Sequence, residues 1–370
     1  MHIKNLKLTN FKNYKSESFH FNSKYNAVVG FNGMGKTNLL DAVYFTCMTK
    51  SNFTSQDRNL VLMGEDFLRT DALISDSKIV CKYEKGKKKV FEINKKAYTK
   101  LSDHIGKFPV VFIAPNDQNL LLEGSIERRK LLDNTISQLD QKYLLSLIRY
   151  NTLLNQRNAY LKLVAKSGGY NQEMALTYTQ QMLEPCQYIF TKRSDFIREF
   201  SDSFAKKYGV ISNGQEVASC NYKSQLVDGD FLELTKENIQ KDRILNRTSI
   251  GIHKDDLVFK MDDKAVKYFA SQGQTKSFVL SIKLAQYEII AQVKNVKPIL
   301  LLDDLFDKLD HRRVQHLISL LESEKVEQVF ISDTDPDRII NILEEMNVEY
   351  NKIVINNGSQ QDEKDAGEEE

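Results

Sequence analysis

Eight residues constrain this chain more than any others: Gly30-Phe31-Asn32-Gly33-Met34-Gly35-Lys36-Thr37, a G-x-x-x-x-G-K-[ST] string. It follows Tyr25 to Val29, an apolar run of the kind used for a buried strand. It precedes Leu39, Leu40, Val43, Tyr44 and Cys47, which recur at helical spacing. An ordinary glycine turn is the alternative reading, and the strand-to-helix setting argues against it. In a phosphate loop the glycines let backbone N–H groups close on phosphate oxygens, and the helix N-terminus adds positive potential. Lys36 then reaches the terminal phosphates and Thr37 ligates Mg²⁺. Asn38, the next residue, is counted with the candidate nucleotide contacts. These residues predict an α/β chain that binds ATP with Mg²⁺.

A second segment, Pro298 to Asp304, is an apolar strand ending in two carboxylates. That arrangement suits delivery of Asp303 to a Mg²⁺-bound water beside the phosphates, with Asp304 polarising an attacking water. A buried strand ending in acids is common in α/β proteins, so the assignment rests on its pairing with the phosphate loop. Lys36, Asp303 and Asp304 are the expected catalytic groups, and Thr37 and Asp303 the expected metal ligands. A third segment, Ser271-Gln272-Gly273-Gln274, precedes a helical pattern about thirty residues upstream of the acids. A Ser hydroxyl, a Gly N–H and a helix N-terminus make a second anion site, although a plain helix cap explains the string as well. Its order and spacing resemble the signature motif of ABC ATPases, where this site grips a nucleotide held by the opposite subunit.

Strands are expected at His2 to Leu8, Glu17 to Phe21, Asp71 to Ser75, Ile79 to Tyr83, Val90 to Asn94 and Val110 to Ile113. From Ile126 to Tyr208 the pattern is helical almost throughout, broken by Gly168-Gly169, and predicts two long helices joined by a turn. Strand and helix then alternate to about residue 345. The expected division is an ATPase lobe over 1–125 and 246–358, a helical insert over 126–245, and a disordered acidic tail over 359–370. The last ten residues hold six acidic side chains.

With 52 basic and 50 acidic residues and a formal net charge of +2, affinity for nucleic acid must come from local patches. Between Lys78 and Lys100 nine lysines face two acids, and Gly86-Lys87-Lys88-Lys89 reads as the tip of a strand pair. Such a patch binds phosphates without reading sequence, or is a solvated edge that discourages sheet aggregation. Arg128 and Arg129 are a second candidate pair for DNA, with packing inside the protein as the alternative. His253 could act with Asp255 and Asp256 on a metal, but a histidine in a turn is more often structural. Asp333 and Asp335 could mimic a metal cluster, though a cap before Pro336 fits better. The four cysteines show no metal-ligand spacing, and no apolar run is long enough to span a bilayer. A cytoplasmic protein with no membrane partner is expected.

The segments LKLTNFKNY, GFNGMGKTNLLDAVY, FIAPNDQNLLLEGSIERRKLLD, YNTLLNQRNAYL, GIHKDDL, SQGQTKS and LLLDDLFDKLD together resemble the RecF family of bacterial DNA-repair proteins, relatives of SMC heads. The resemblance covers nearly the whole chain. It implies an ABC-type ATPase lobe with an inserted helical lobe and ATP-dependent homodimerisation. It also implies binding of duplex, gapped or single-strand-junction DNA, and loading of RecA with RecR and RecO. Asp307 to Asp310 would be the D-loop. Departures are Asn116 for an acid, Lys254 for Arg, and Asp307-Lys308 for a Ser-Glu-like pair. The switch histidine is absent at Ser332-Asp333-Thr334, and Asp304 stands where many ABC ATPases have Glu; the missing methylene moves the carboxylate about an ångström from its water, so slow hydrolysis is expected. A transporter ATPase subunit predicts a short helical insert. A nuclease with such an ATPase needs a further catalytic domain, and only about forty residues follow the last ATPase strand. A DNA-bound scaffold that holds ATP without turnover is the remaining alternative.

Overall fold

The computed structural model describes residues 1–21, 24–305 and 311–361, so the D-loop candidates Asp307 to Asp310 lie outside the described residues. The chain divides into two compact units, one of residues 1–117 and 290–370 and one of residues 118–289.

In the first unit, Val110–Ile113, Ile299–Leu302, Gln328–Asp333, Tyr25–Val29 and Tyr350–Asn356 form a parallel sheet in that order, with Ser359–Gln361 antiparallel at the edge. Except for the edge pair these strands are almost wholly buried, which is why they read as continuous apolar runs without alternation. The register sets Val29 beside Asp333 and Leu302 beside Ile331. The residues that follow Val29 and Leu302 therefore leave the sheet at the same edge as Ser332 and Asp333. In parallel sheets that edge is where ligands bind.

A second sheet, antiparallel, runs in the order Tyr14–His20, Ile3–Phe11, Phe67–Ile74, Ser77–Glu84, Val90–Ile93, Lys96–Ala97. Its strands alternate, burying Leu6, Leu8, Phe19, Leu68, Ala72 and Ile74 and exposing Lys4, Lys7 and Lys78. The helix Lys36–Met48 shares one apolar core with residues of both sheets and is buried nearly all round, so its apolar residues are not confined to one stripe.

Over residues 125–211 the second unit has three long helices where two were expected: Ser125–Leu139, Gln141–Ser167 and Gln172–Ile211. The extra break is at Asp140, whose extended backbone and side chain cap the helix that follows by accepting from the Tyr143 N–H. Ala218–Lys223, Asp256–Met261 and Lys264–Ala265 form a three-stranded antiparallel sheet, and Gln272–Lys294 is the last helix. Pairing of Asp256–Met261 with Ala218–Lys223 keeps residues 246–289 in this unit, contrary to the expected boundary at 245/246. The expected tail is corrected at its start: Asn357 and Gly358, at φ 47° and 76°, turn the chain back so that Ser359 pairs with Asn356.

Candidate functional site

The phosphate loop is held by polar side chains from the turn between Ile3–Phe11 and Tyr14–His20 and by backbone from the turn at Gly358. Asn13 Nδ2 donates to Met34 O at 2.9 Å and Asn13 Oδ1 accepts from Asn38 Nδ2 at 2.7 Å, while the Tyr14 hydroxyl donates to Gly35 O at 2.9 Å. The Gly358 N–H also donates to Met34 O, at 3.0 Å. Gly35 sits at φ 122°, where a Cβ would lie 2.5 Å from the Asn13 amide, and a Cβ at Gly30 would overlap the Ile355 carbonyl. These contacts leave no room for side chains at the first and last loop glycines.

Lys36 is buried, and its Nζ donates to Gly30 O at 2.6 Å and Phe31 O at 2.8 Å. Burial lowers its pKa, against the opposing pull of Asp304, Asp303 and Asp333. Two donors converge on one oxygen of Asp303: Thr37 Oγ1 at 2.9 Å and Ser332 Oγ at 2.7 Å. Burial raises the Asp303 pKa, while those two hydrogen bonds and Lys36 oppose the rise. Ser332 Oγ also accepts from the Asp304 N–H at 2.9 Å, and Asp304 adopts the left-handed backbone at φ 45°, a conformation an Asp tolerates better than most side chains. One serine therefore ties both acids to the neighbouring strand. Its position, beside the missing histidine, was read from the sequence only as a departure.

Asn32, Gly33, Gly35, Lys36, Thr37, Asn38, Asp303, Asp304, Ser332 and Thr334 line a cavity of about 180 Å³. That volume suits the phosphate end of a nucleotide better than a whole one. Phe31 is largely exposed, and neither it nor Met34 lines the cavity. The chemistry of the donor set fits Mg²⁺: a carboxylate and a hydroxyl side by side, both hard oxygen ligands, leaving further positions to phosphates and water. Among the described residues no group of three or more His, Cys, Asp or Glu could hold a metal. Asp333 is instead buried and paired with Arg338 through both carboxylate oxygens, and Asp335 caps the helix Pro336–Glu345.

In the second unit, Ser271 precedes the helix Gln272–Lys294 and forms a reciprocal cap. Its Oγ accepts from the Gln274 N–H at 3.2 Å, and Gln274 Oε1 accepts from the Ser271 N–H at 2.7 Å. The string is thus a helix cap, and the cap leaves the Ser271 hydroxyl proton available and the residue exposed. Gln272 and Gly273 occupy the first turn of the helix.

The basic candidates separate. Residues 84–90 do form the tip of a strand pair, but Lys87 pairs with Glu84 at 2.8 Å and Lys89 with Asp57 at 2.8 Å, the latter also lying over Phe45. Lys88 is exposed. Arg128 holds both oxygens of Asp256, at 2.6 and 3.0 Å, and donates to two backbone carbonyls. Arg129 donates to Ser125 Oγ and Asp255 O. Lys89, Arg128 and Arg129 are therefore engaged within the chain, since neighbouring carboxylates and carbonyls satisfy them there. His253 is structural as well: one ring nitrogen meets the Tyr150 hydroxyl at 2.8 Å, the other Thr248 O at 3.1 Å, and burial lowers its pKa to about 4. Beside it the buried Arg193 binds Asp133, Asp255, the Tyr143 hydroxyl and Ile252 O, an interior role that the residue type alone did not reveal.

Strand, phosphate loop and helix, the paired acids at the next strand end, and the capped Ser-x-Gly-Gln turn define an α/β ABC-type ATPase head with a helical insert. The profile of the RecF/RecN/SMC N-terminal domain matches residues 2–355. The chain is 45% identical over 342 residues to the DNA replication and repair protein RecF of Flavobacterium johnsoniae, covering 91% of this chain and 95% of that one. It is 38% identical to the protein of that name from Phocaeicola vulgatus, over the full length of both. The chain belongs to the RecF family of DNA replication and repair proteins within that SMC-related group. Among solved structures, the recombination mediator protein RecF with ATPrS, in the RecFOR pathway, superposes with a TM-score of 0.88 at 26% identity, covering 97% of each chain. The corresponding RecF–ATP structure superposes with a TM-score of 0.87. An SMC head bound to a winged-helix domain shares the fold at 16% identity and a TM-score of 0.56.

Proposed function

We propose that this protein is a recombination mediator that uses ATP as a switch for pairing two copies on DNA. The convergence of Thr37 and Ser332 on Asp303, with Ser332 also accepting from the Asp304 N–H, beside Lys36, carries the reading. Lys36 exchanges its loop carbonyls for the terminal phosphates, and Thr37 and Asp303 hold Mg²⁺. The ion supplies charge neutralisation at the phosphates. Asp304, presented by its left-handed backbone, polarises the attacking water. With no histidine in the described strand end, turnover is slow. Ser271 and Gly273 offer a hydroxyl and an N–H to the nucleotide held by a second copy, closing a dimer that grips duplex or gapped DNA through its phosphates. RecR- and RecO-type proteins then act with it to promote RecA loading, in the cytoplasm, where the four buried cysteines remain thiols.

Light scattering and duplex-DNA anisotropy, run with no nucleotide, ADP, ATP and a non-hydrolysable ATP analogue at fixed salt, test this reading. A coupled gain of pairing and DNA binding with ATP supports it. A monomer in ATP, or equal DNA affinity in every state, overturns the switch and favours a scaffold.

A further inference from the structure

The signature turn has a second support that its own motif does not contain. Glu216 lies in the loop between the helix ending at Ile211 and the strand Ala218–Lys223. One of its carboxylate oxygens accepts from Gln274 Nε2 and the other from the Tyr208 hydroxyl. The loop is pinned by a reciprocal pair: the Val217 N–H donates to Asp262 Oδ1 at 2.9 Å, and the Asp262 N–H to Val217 O at 2.9 Å. Tyr208 is buried, in contact with Phe204 and Phe278, so its hydroxyl is a stationary anchor.

The chemistry of an amide makes this support consequential. Gln274 serves the cap only when Oε1 faces the Ser271 N–H; turned over, it would present an NH₂ to a donor. An ionised carboxylate only accepts, so Glu216 demands that Nε2 face it and thereby holds the amide in the orientation the cap requires. The cap in turn occupies a lone pair of the Ser271 hydroxyl through the Gln274 N–H and leaves its single proton for an anion.

We propose that Glu216 is a positioning residue: by bridging Tyr208 and Gln274 it selects the amide orientation that aims the Ser271 hydroxyl at a nucleotide held by a second copy. This rests on the trans role of Ser271 given above. Glu216→Ala removes the bridge, whereas Glu216→Gln keeps it, with its carbonyl toward Gln274 and its NH₂ toward the Tyr208 oxygen. In the full chain, Glu216→Ala is expected to bind a fluorescent ATP analogue within about twofold of wild type yet to need roughly tenfold more protein for half-maximal pairing in ATP. Amide exchange at residues 272–276 without nucleotide should quicken in Glu216→Ala and not in Glu216→Gln. Unchanged exchange in Glu216→Ala would overturn the proposal, as would equal loss in both variants together with a lowered Tm, which marks general damage to the loop. Failure of the wild type to pair in ATP would sink the dimer reading and the aiming role with it. The exchange comparison would then still decide whether Glu216 orders the turn.

Discussion

The two units each bury charge, and they treat it differently. In the second unit Arg157 and Arg193 are 1% exposed and face carboxylates: Asp242 for the first, Asp133 and Asp255 for the second. Hydroxyls and carbonyls take up most of the remaining donors. In the first unit Lys36 is buried beside three carboxylates yet donates only to two carbonyls of its own loop, contacts a phosphate could replace. In the first arrangement Arg193 holds its helix to the Ile252–Asp255 turn and Arg157 holds its helix to Asp242 and Thr248. The second retains binding capacity. Motif residues such as Asp255 and His253, conspicuous in the sequence, are held by interior partners: Arg193 and Tyr222 for Asp255, Tyr150 and Thr248 for His253.

The sharpest way to break this comparison is to remove Arg193. Arg193→Ala leaves Asp255 buried without its cation, and a loss of about 3–5 kcal/mol in urea unfolding is expected, with ATP affinity of the remaining folded protein unchanged. Lys36→Ala should do the converse: at least about a hundredfold weaker nucleotide binding by calorimetry, roughly 2.7 kcal/mol, with little loss of stability. A large drop in stability there would mean the lysine is structural too.

Acid tests both units in one experiment. His104 is fully buried in the first unit, its Nε2 at 2.8 Å from Thr46 O, and burial lowers its pKa from 6.5 to about 4, as for His253. The unfolded chain takes up the proton below pH 6.5 while the folded one resists it until about pH 4. Stability is therefore full above pH 6.5 and falls across that window, by roughly 2 kcal/mol at pH 5 for His104. His104→Gln, which keeps a donor for Thr46 O, should flatten that part of the pH profile. The smallest expected effect is Ser332→Ala, about 1 kcal/mol of stability from an orphaned Asp304 N–H. Its turnover should fall further than its ATP affinity, because it releases the acids from their strand. Equal loss of both would show that Ser332 serves binding alone.

Much of the first unit was legible locally. The phosphate loop, its flanking strand and helix, and Asp303-Asp304 at a strand end are contiguous strings whose residue types state their chemistry. The apolar run at 326–331 reads as a strand, whereas the ladder spans Gln328–Asp333, since an apolar run marks a strand but not where its ladder stops. The break at Asp140 was hidden because the apolar stripe continues through it. The return strand at 359–361 had a signal in the Asn357-Gly358 pair, masked by the acidic composition that follows.

From its own residues the sequence determined the α/β class, the phosphate-loop string and the family, because each is carried by contiguous runs of residues whose local conformation is dictated by neighbours in the chain. Tertiary structure alone decided which charges are free to act. Whether Arg128 and Arg129 meet DNA or an aspartate, whether Ser332 binds Asp303, and which way Gln274 turns its amide depend on partners dozens to hundreds of residues away. Burial raises the cost of leaving such groups unpaired, so the fold assigns their partners before any ligand arrives.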